Sequence, residues 1–210
     1  MPEPDLLRAL RAMAPPAAGC GWADPRHDHG LLGGESLPGA VPRRLREFSA
    51  GRAAARAALA QIGLAPVAIP HGADRAPVWP RGVIGSISHS ATQCLAVALP
   101  LGVVRGIGID LEEDTPLAPD LWPLVLDAVE RGTQVQAQQA KQVFSAKEAA
   151  YKAQYPLTKT MLDFHDLRIT LGDGTFQAQL QRAVAPLAAG DRLHGRISRS
   201  QGHILTLALL

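Results

Sequence analysis

Only two cysteines, Cys20 and Cys94, stand in the 210-residue sequence, far apart and without a CxxC spacing. That excludes a disulfide framework and a cysteine-based zinc site, and it fits a reducing compartment. An excess of one charge is lacking too. With 21 Lys and Arg against 19 Asp and Glu, the formal net charge is +2. Neither a nucleic-acid coat nor an acidic tail is indicated, and anion binding must rest on local clusters. No apolar run reaches the roughly 18 residues of a membrane helix. The N-terminus, MPEPDLLRALRAMAPPAAG, carries Glu3 and Asp5 and lacks the basic start and apolar core of a secretory signal. No tandem repeat is visible. These absences point to a soluble, cytoplasmic protein, expected as a monomer, with no nucleic-acid or membrane partner.

What is present is a chain 47% hydrophobic, long enough for one sizeable core or two small ones. Residues 13–42, rich in Pro and Gly, read as loop with one strand. From Pro42 to Ile62 the residues favour helix, with Pro42 suited to the first turn and Gly63 to the stop. Phe48, Ala55, Leu59 and Ile62 make its apolar stripe, and Arg52 and Arg56 share a neighbouring face. Short strands are expected at 83–89, 94–99 and 103–111, the last two as a hairpin turning at Pro100-Leu101-Gly102. Residues 121–155 read as helix, broken at Gly132 and ended by Pro156. Four strands close the chain at 167–171, 176–180, 193–198 and 204–209, with turns at Asp173-Gly174 and Gly202. Each half then combines helix with antiparallel strand, an α+β class rather than a doubly wound sheet.

Three segments carry chemistry. In GIGIDLEED, 106–114, an apolar strand delivers acidic side chains, and Asp110 and Glu112, two apart, share a face. Two carboxylates so placed repel each other unless a cation lies between them; an acidic loop in solvent is the plainer alternative. Gly106 and Gly108 are no dinucleotide fingerprint, because the third glycine and the following helix are missing. In FSAKEAAYKA, 144–153, Glu148 and Lys152 share a helix face; an ordinary surface pair would look the same. In GSISHS, 85–90, Ser86 and Ser88 share a strand face and His89 stands at the strand end.

Taken in this order, GSISHS, GIGIDLE and FSAKEAAYKA resemble the signature motifs of the surfactin-type 4′-phosphopantetheinyl transferases. REFSAGRAAARAAL at 46–59, APVWPRGVIGSISHS at 76–90 and YPLTKTMLDFHDLRI at 155–169 are similar to the subgroup of enterobactin synthase component D. The resemblance implies a pseudo-dimeric α+β fold of two similar halves, 1–104 and 105–210, with coenzyme A in the cleft between them. It implies that Asp110, Glu112 and Glu148 hold Mg²⁺, for which Mn²⁺ substitutes. Lys152 is implied at the coenzyme A phosphates with Lys147 its neighbour near the ligand, His89 beside the pyrophosphate, and Ser88 among the coenzyme A-binding residues. Arg44, Arg52 and Arg75 are implied for the 3′-phosphate. Glu148, Lys152 and His89 form the implied catalytic set, Glu148 being the first candidate for the base. The expected partner is an apo acyl- or peptidyl-carrier protein whose serine receives phosphopantetheine as 3′,5′-ADP leaves. The residue types suit this chemistry: hard oxygen ligands favour Mg²⁺, and cations offset phosphoryl charge. Two other readings share the residues: a metal-dependent phosphohydrolase, and a non-catalytic coenzyme A-binding protein.

Overall fold

A computed structural model describes residues 4–132 and 136–210 and divides the chain into two compact units, Met1–Val103 and Val104–Leu210. The first unit begins with α1 (Asp5–Met13), a helix not foreseen from the sequence. Its buried Leu6, Leu7, Leu10 and Met13 follow helical spacing, and Asp5 in the first turn complements the helix dipole. Strand β1 (Gly19–Ala23) and helix α2 (Pro42–Gln61) follow, the latter with Pro42 in its first turn. Then come β2 (Val83–His89) and β3 (Cys94–Pro100), which form an antiparallel sheet in the order β1-β3-β2. Phe48, Ala55 and Leu59 are buried, with Ile62 packed against the same core, so the stripe is as read from the sequence. Burial pushes the Cys94 thiol up to about 12, making it an inert core residue.

The second unit opens with β4 (Ile107–Glu113), which joins a different sheet from β3. The hairpin expected across residues 100–102 is therefore not formed. Those residues precede the boundary between the units, and β3 finds its partners in β2 and β1. A 3-10 turn at Pro119–Leu121 leads to α3 (Trp122–Val125) and α4 (Ala128–Gly132). Helix α5 (Ala137–Thr158) is the long helix of this unit. The helical break foreseen at Gly132 adjoins residues 133–135, which lie outside the described residues. Pro156 does not end α5. It lies within the last turn, and the helix stops where Lys159 turns left-handed (φ 53°) and returns its N–H to the Tyr155 carbonyl. Strands β5 (Leu167–Leu171), β6 (Thr175–Leu180), β7 (Arg192–Ser200) and β8 (His203–Leu209) complete an antiparallel sheet in the order β4-β8-β7-β6-β5. The turns at Asp173-Gly174 and Gly202 are present, with Gly174 at φ 61° and Gly202 at φ 70°. The fold is α+β, with one long helix laid on an antiparallel sheet in each unit.

The same device joins helix to sheet in both units. Gly19 and Gly21 lie against the carbonyl oxygens of Ala58 and Ala54, and Gly106 and Gly108 against those of Ala153 and Ala149. A Cβ at any of the four would overlap a helix carbonyl oxygen, so only glycine lets the helix come this close. Gly108→Ala should accordingly destabilise the protein by about 1–3 kcal/mol, the usual range for overpacking. A thermal melt indistinguishable from wild type would show that α5 can move off the strand without cost.

Candidate active site

The close approach of α5 to β4 sets a register that carries beyond the glycines. Two residues on a strand advance about 6.6 Å and four on a helix about 6 Å, so alternate strand residues keep step with every fourth helix residue. Running antiparallel, Gly106 meets Ala153 and Gly108 meets Ala149. The next pairs are Asp110 with Ser145 and Glu112 with Lys141, both joined by side-chain hydrogen bonds. In the first unit the corresponding steps reach Ala23 and Ala50, both buried in the core, so only the second unit carries acid here.

Asp110 is buried, and both its oxygens are engaged. Oδ2 accepts from Ser145 Oγ at 2.9 Å and Oδ1 from Lys152 Nζ at 2.6 Å. Ser145 is itself fixed by Thr206, whose hydroxyl donates to the Ser145 carbonyl at 3.0 Å; Thr206 faces Asp110 across the β4–β8 ladder. Glu112 pairs with Lys141, while Glu148 lies on the same helix between Lys141 and Lys152. Burial raises the pKa of Glu112, and the Asp110 charge adds to it against the pull of Lys141. Burial likewise raises Glu148, opposed by Lys152 and reinforced by the charges of Asp110 and Glu112. The three carboxylates thus lie within each other's fields.

Among the described residues, no three Asp, Glu, His or Cys side chains converge on a single point. Two of the carboxylates instead meet lysine ammonium groups. The donor chemistry nevertheless fits a hard divalent cation: three carboxylate groups with no thiolate or imidazole, whose mutual repulsion such an ion relieves.

Beside Glu148 opens a cavity of about 160 Å³. Tyr151, Met161, Leu162 and Phe164 give it a largely apolar wall, with Phe164 packed on Phe144. Lys147, the lysine implied near the ligand, also borders it, but its ammonium is turned inward. Its side chain is 1% exposed, and its ammonium donates to the Val125 carbonyl, the Glu130 carboxylate and the Phe164 carbonyl at 2.7–2.9 Å. An ammonium has three donors, and these partners take all three. Lys147 braces the cavity wall.

In the first unit, Arg44 and His89 come together, with Nη1 of Arg44 2.9 Å from Nε2 of His89. A guanidinium only donates, so in this contact the imidazole nitrogen is the acceptor. Glu47 accepts from Arg44 and Arg43; burial pushes its pKa up, but these hydrogen bonds win and hold it below the usual range. Ser88 is buried on β2, on the same face as Ser86, whereas His89 belongs to the other face with Gly85 and Ile87.

Arg52 departs from the exposed helix position that a 3′-phosphate contact would suggest. It is 7% exposed, its Nε donates to the Ile69 carbonyl at 2.7 Å, and its guanidinium lies 4.0 Å from the centre of the Phe48 ring. Burial lowers its pKa to about 10. Arg56 donates from Nη1 to both carboxylate oxygens of the buried Glu35. Arg75 is exposed on a left-handed turn (φ 63°).

Comparison with known proteins gives the family. The profile of the 4′-phosphopantetheinyl transferase N-terminal domain matches residues 34–99, and that of the 4′-phosphopantetheinyl transferase superfamily matches residues 106–208. The chain belongs to this family. It is similar to 4′-phosphopantetheinyl transferase Svp of Streptomyces mobaraensis, with 35% identity over 80% of this chain and 72% of the relative. With 4′-phosphopantetheinyl transferase PptT of Mycobacterium tuberculosis it shares 34% identity over 81% of each chain. Enterobactin synthase component D of Salmonella typhi matches at 36% identity over 69% of this chain and 63% of its own. The protein is thus a transferase of the α+β, pseudo-dimeric type that its motifs suggested.

Sequence reasoning missed Lys141, Ser145, Thr206 and Glu130. The signal for the first two was present: 141, 145, 148 and 152 recur at spacings of four, three and four, one helix face. Glu130 and Thr206 had no local signal, since their partners are remote in sequence.

Two outcomes are expected. Lys147→Met should cost about 3–5 kcal/mol by leaving the Glu130 carboxylate buried without its cation. Unchanged stability would show that Lys147 is not a brace. Glu148→Gln should raise the melting temperature at pH 8 without divalent cations. The folded state binds the Glu148 proton more tightly than the unfolded chain, so wild-type stability falls as pH rises from about 4.5 through the raised value. The gain should shrink at pH 5. A melting temperature unaffected at both pH values would contradict the buried, repelled carboxylate.

Proposed function

We propose that this enzyme transfers the 4′-phosphopantetheine arm of coenzyme A to a serine of an apo acyl- or peptidyl-carrier protein, releasing 3′,5′-ADP. The observation that carries this reading is the face shared by Asp110, Glu112, Glu148 and Lys152, built by one helix-strand register. Asp110, Glu112 and Glu148 would hold Mg²⁺ or Mn²⁺, which would supply Lewis-acid stabilisation of the phosphoryl oxygens. Lys152 would leave Asp110 for the pyrophosphate. Glu148, whose pKa burial raises, would accept the proton of the carrier serine hydroxyl. The apolar cavity beside it suits the uncharged, slender pantetheine chain.

The 3′-phosphate, which takes no part in bond breaking, would be held by Arg44, with Arg75 a further exposed cation. Arg52 would reach it only through its Nη groups, since Nε is held by the Ile69 carbonyl. His89, at present an acceptor for Arg44, would assist the same anionic ligand once that arginine turns to phosphate. The likeness to enterobactin synthase component D favours a siderophore or other secondary-metabolite carrier.

Labelling of an apo carrier with fluorescent coenzyme A tests the proposal. Transfer should require Mg²⁺ or Mn²⁺, stop on chelation, and fall about 10²-fold or more in Glu148→Gln, the usual scale for a lost general base. Free phosphopantetheine released regardless of carrier would make it a phosphohydrolase instead. Ligand binding without any turnover would make it a coenzyme A-binding protein.

A further inference from the structure

Lys141 takes no part in the reading above, yet it is placed with the carboxylates. It stands on α5 one helical turn before Ser145, and the β4–α5 register delivers it to Glu112. Its side chain is 13% exposed and that of Glu112 27%, so the pair is largely withdrawn from solvent. Its ammonium also lies 5.0 Å from the centre of the Phe144 ring, a second favourable contact beside Glu112. Lys152 treats Asp110 similarly, but Lys152 already has a phosphate to serve.

We propose that Lys141 is the resident counter-cation of the carboxylate site. It neutralises Glu112 while no divalent ion is bound, and it yields that carboxylate and moves towards Phe144 when one enters. Lys141 is thus a positioning residue that sets metal affinity, because every incoming ion must break the Lys141–Glu112 bond and then tolerate the ammonium nearby. The inference rests on the assignment of Asp110, Glu112 and Glu148 to a metal.

The test reads metal binding rather than turnover. Mn²⁺ is titrated into metal-free full-length protein at pH 8, and free Mn²⁺ is followed by its paramagnetic resonance signal, for wild type, Lys141→Met, Lys141→Gln and Lys141→Arg. Releasing Glu112 from a charge-assisted hydrogen bond should tighten Mn²⁺ binding about 5- to 30-fold in the Met and Gln variants. Lys141→Arg, which keeps the charge, should stay within about 3-fold of wild type. A purely structural lysine gives the opposite result, since losing it would loosen the site. Equal or weaker binding in whichever neutral variant folds overturns the proposal while leaving the metal assignment intact. Absence of Mn²⁺ binding by wild type overturns both.

Discussion

The contact between α5 and β4 at Gly106 and Gly108 is the constraint on which the candidate active site depends. With no side chain between them, the helix carbonyls lie almost on the strand, and the pairing Gly106–Ala153, Gly108–Ala149 leaves no freedom further along. Asp110 must then meet Ser145, and Glu112 must meet Lys141. Glu148 and Lys152 fall beside them because they lie on the same helix face. The first unit repeats the glycine contact at Gly19 and Gly21 but continues into Ala23, so it carries the architecture without the acid.

The carboxylate face works against stability. Burial raises Glu112 and Glu148 above their ordinary values, and repulsion among the three acids adds to the shift. Lysines 141 and 152, Ser145 and Thr206 offset part of that cost. On the proposed reading such unfavourable charge is held in readiness for a cation, and stability is given up for function at these positions.

Elsewhere buried ion pairs hold backbone in place. Glu130, paired with Lys147, also accepts the N–H of Ile169, and Glu35, paired with Arg56, accepts the N–H of Ile69. In each unit a carboxylate thus satisfies a backbone donor that would otherwise be buried without a partner. Such pairs add little net stability, since desolvation offsets attraction. Their effect is to specify which segment lies where, and in the second unit Lys147 also holds the Phe164 carbonyl in the wall of the cavity beside Glu148.

The sequence by itself determined the strands and the long helices, because alternation, helical spacing and turn residues act over a few neighbouring positions. It also determined which residue types could do the chemistry, since GIGIDLE and FSAKEAAYKA place Asp110, Glu112, Glu148 and Lys152 on defined faces. Tertiary structure decided the rest. The partner of β3 depended on which sheet it entered, and no local pattern at residues 100–102 encodes that choice. Lys147 and Arg52 looked like surface cations beside Lys152 and Arg56, and only packing revealed them as buried groups bound to Glu130 and to the Ile69 carbonyl. Exposure of a long cationic side chain is set by what folds over it, and here the covering residues lie 17 positions away in both cases.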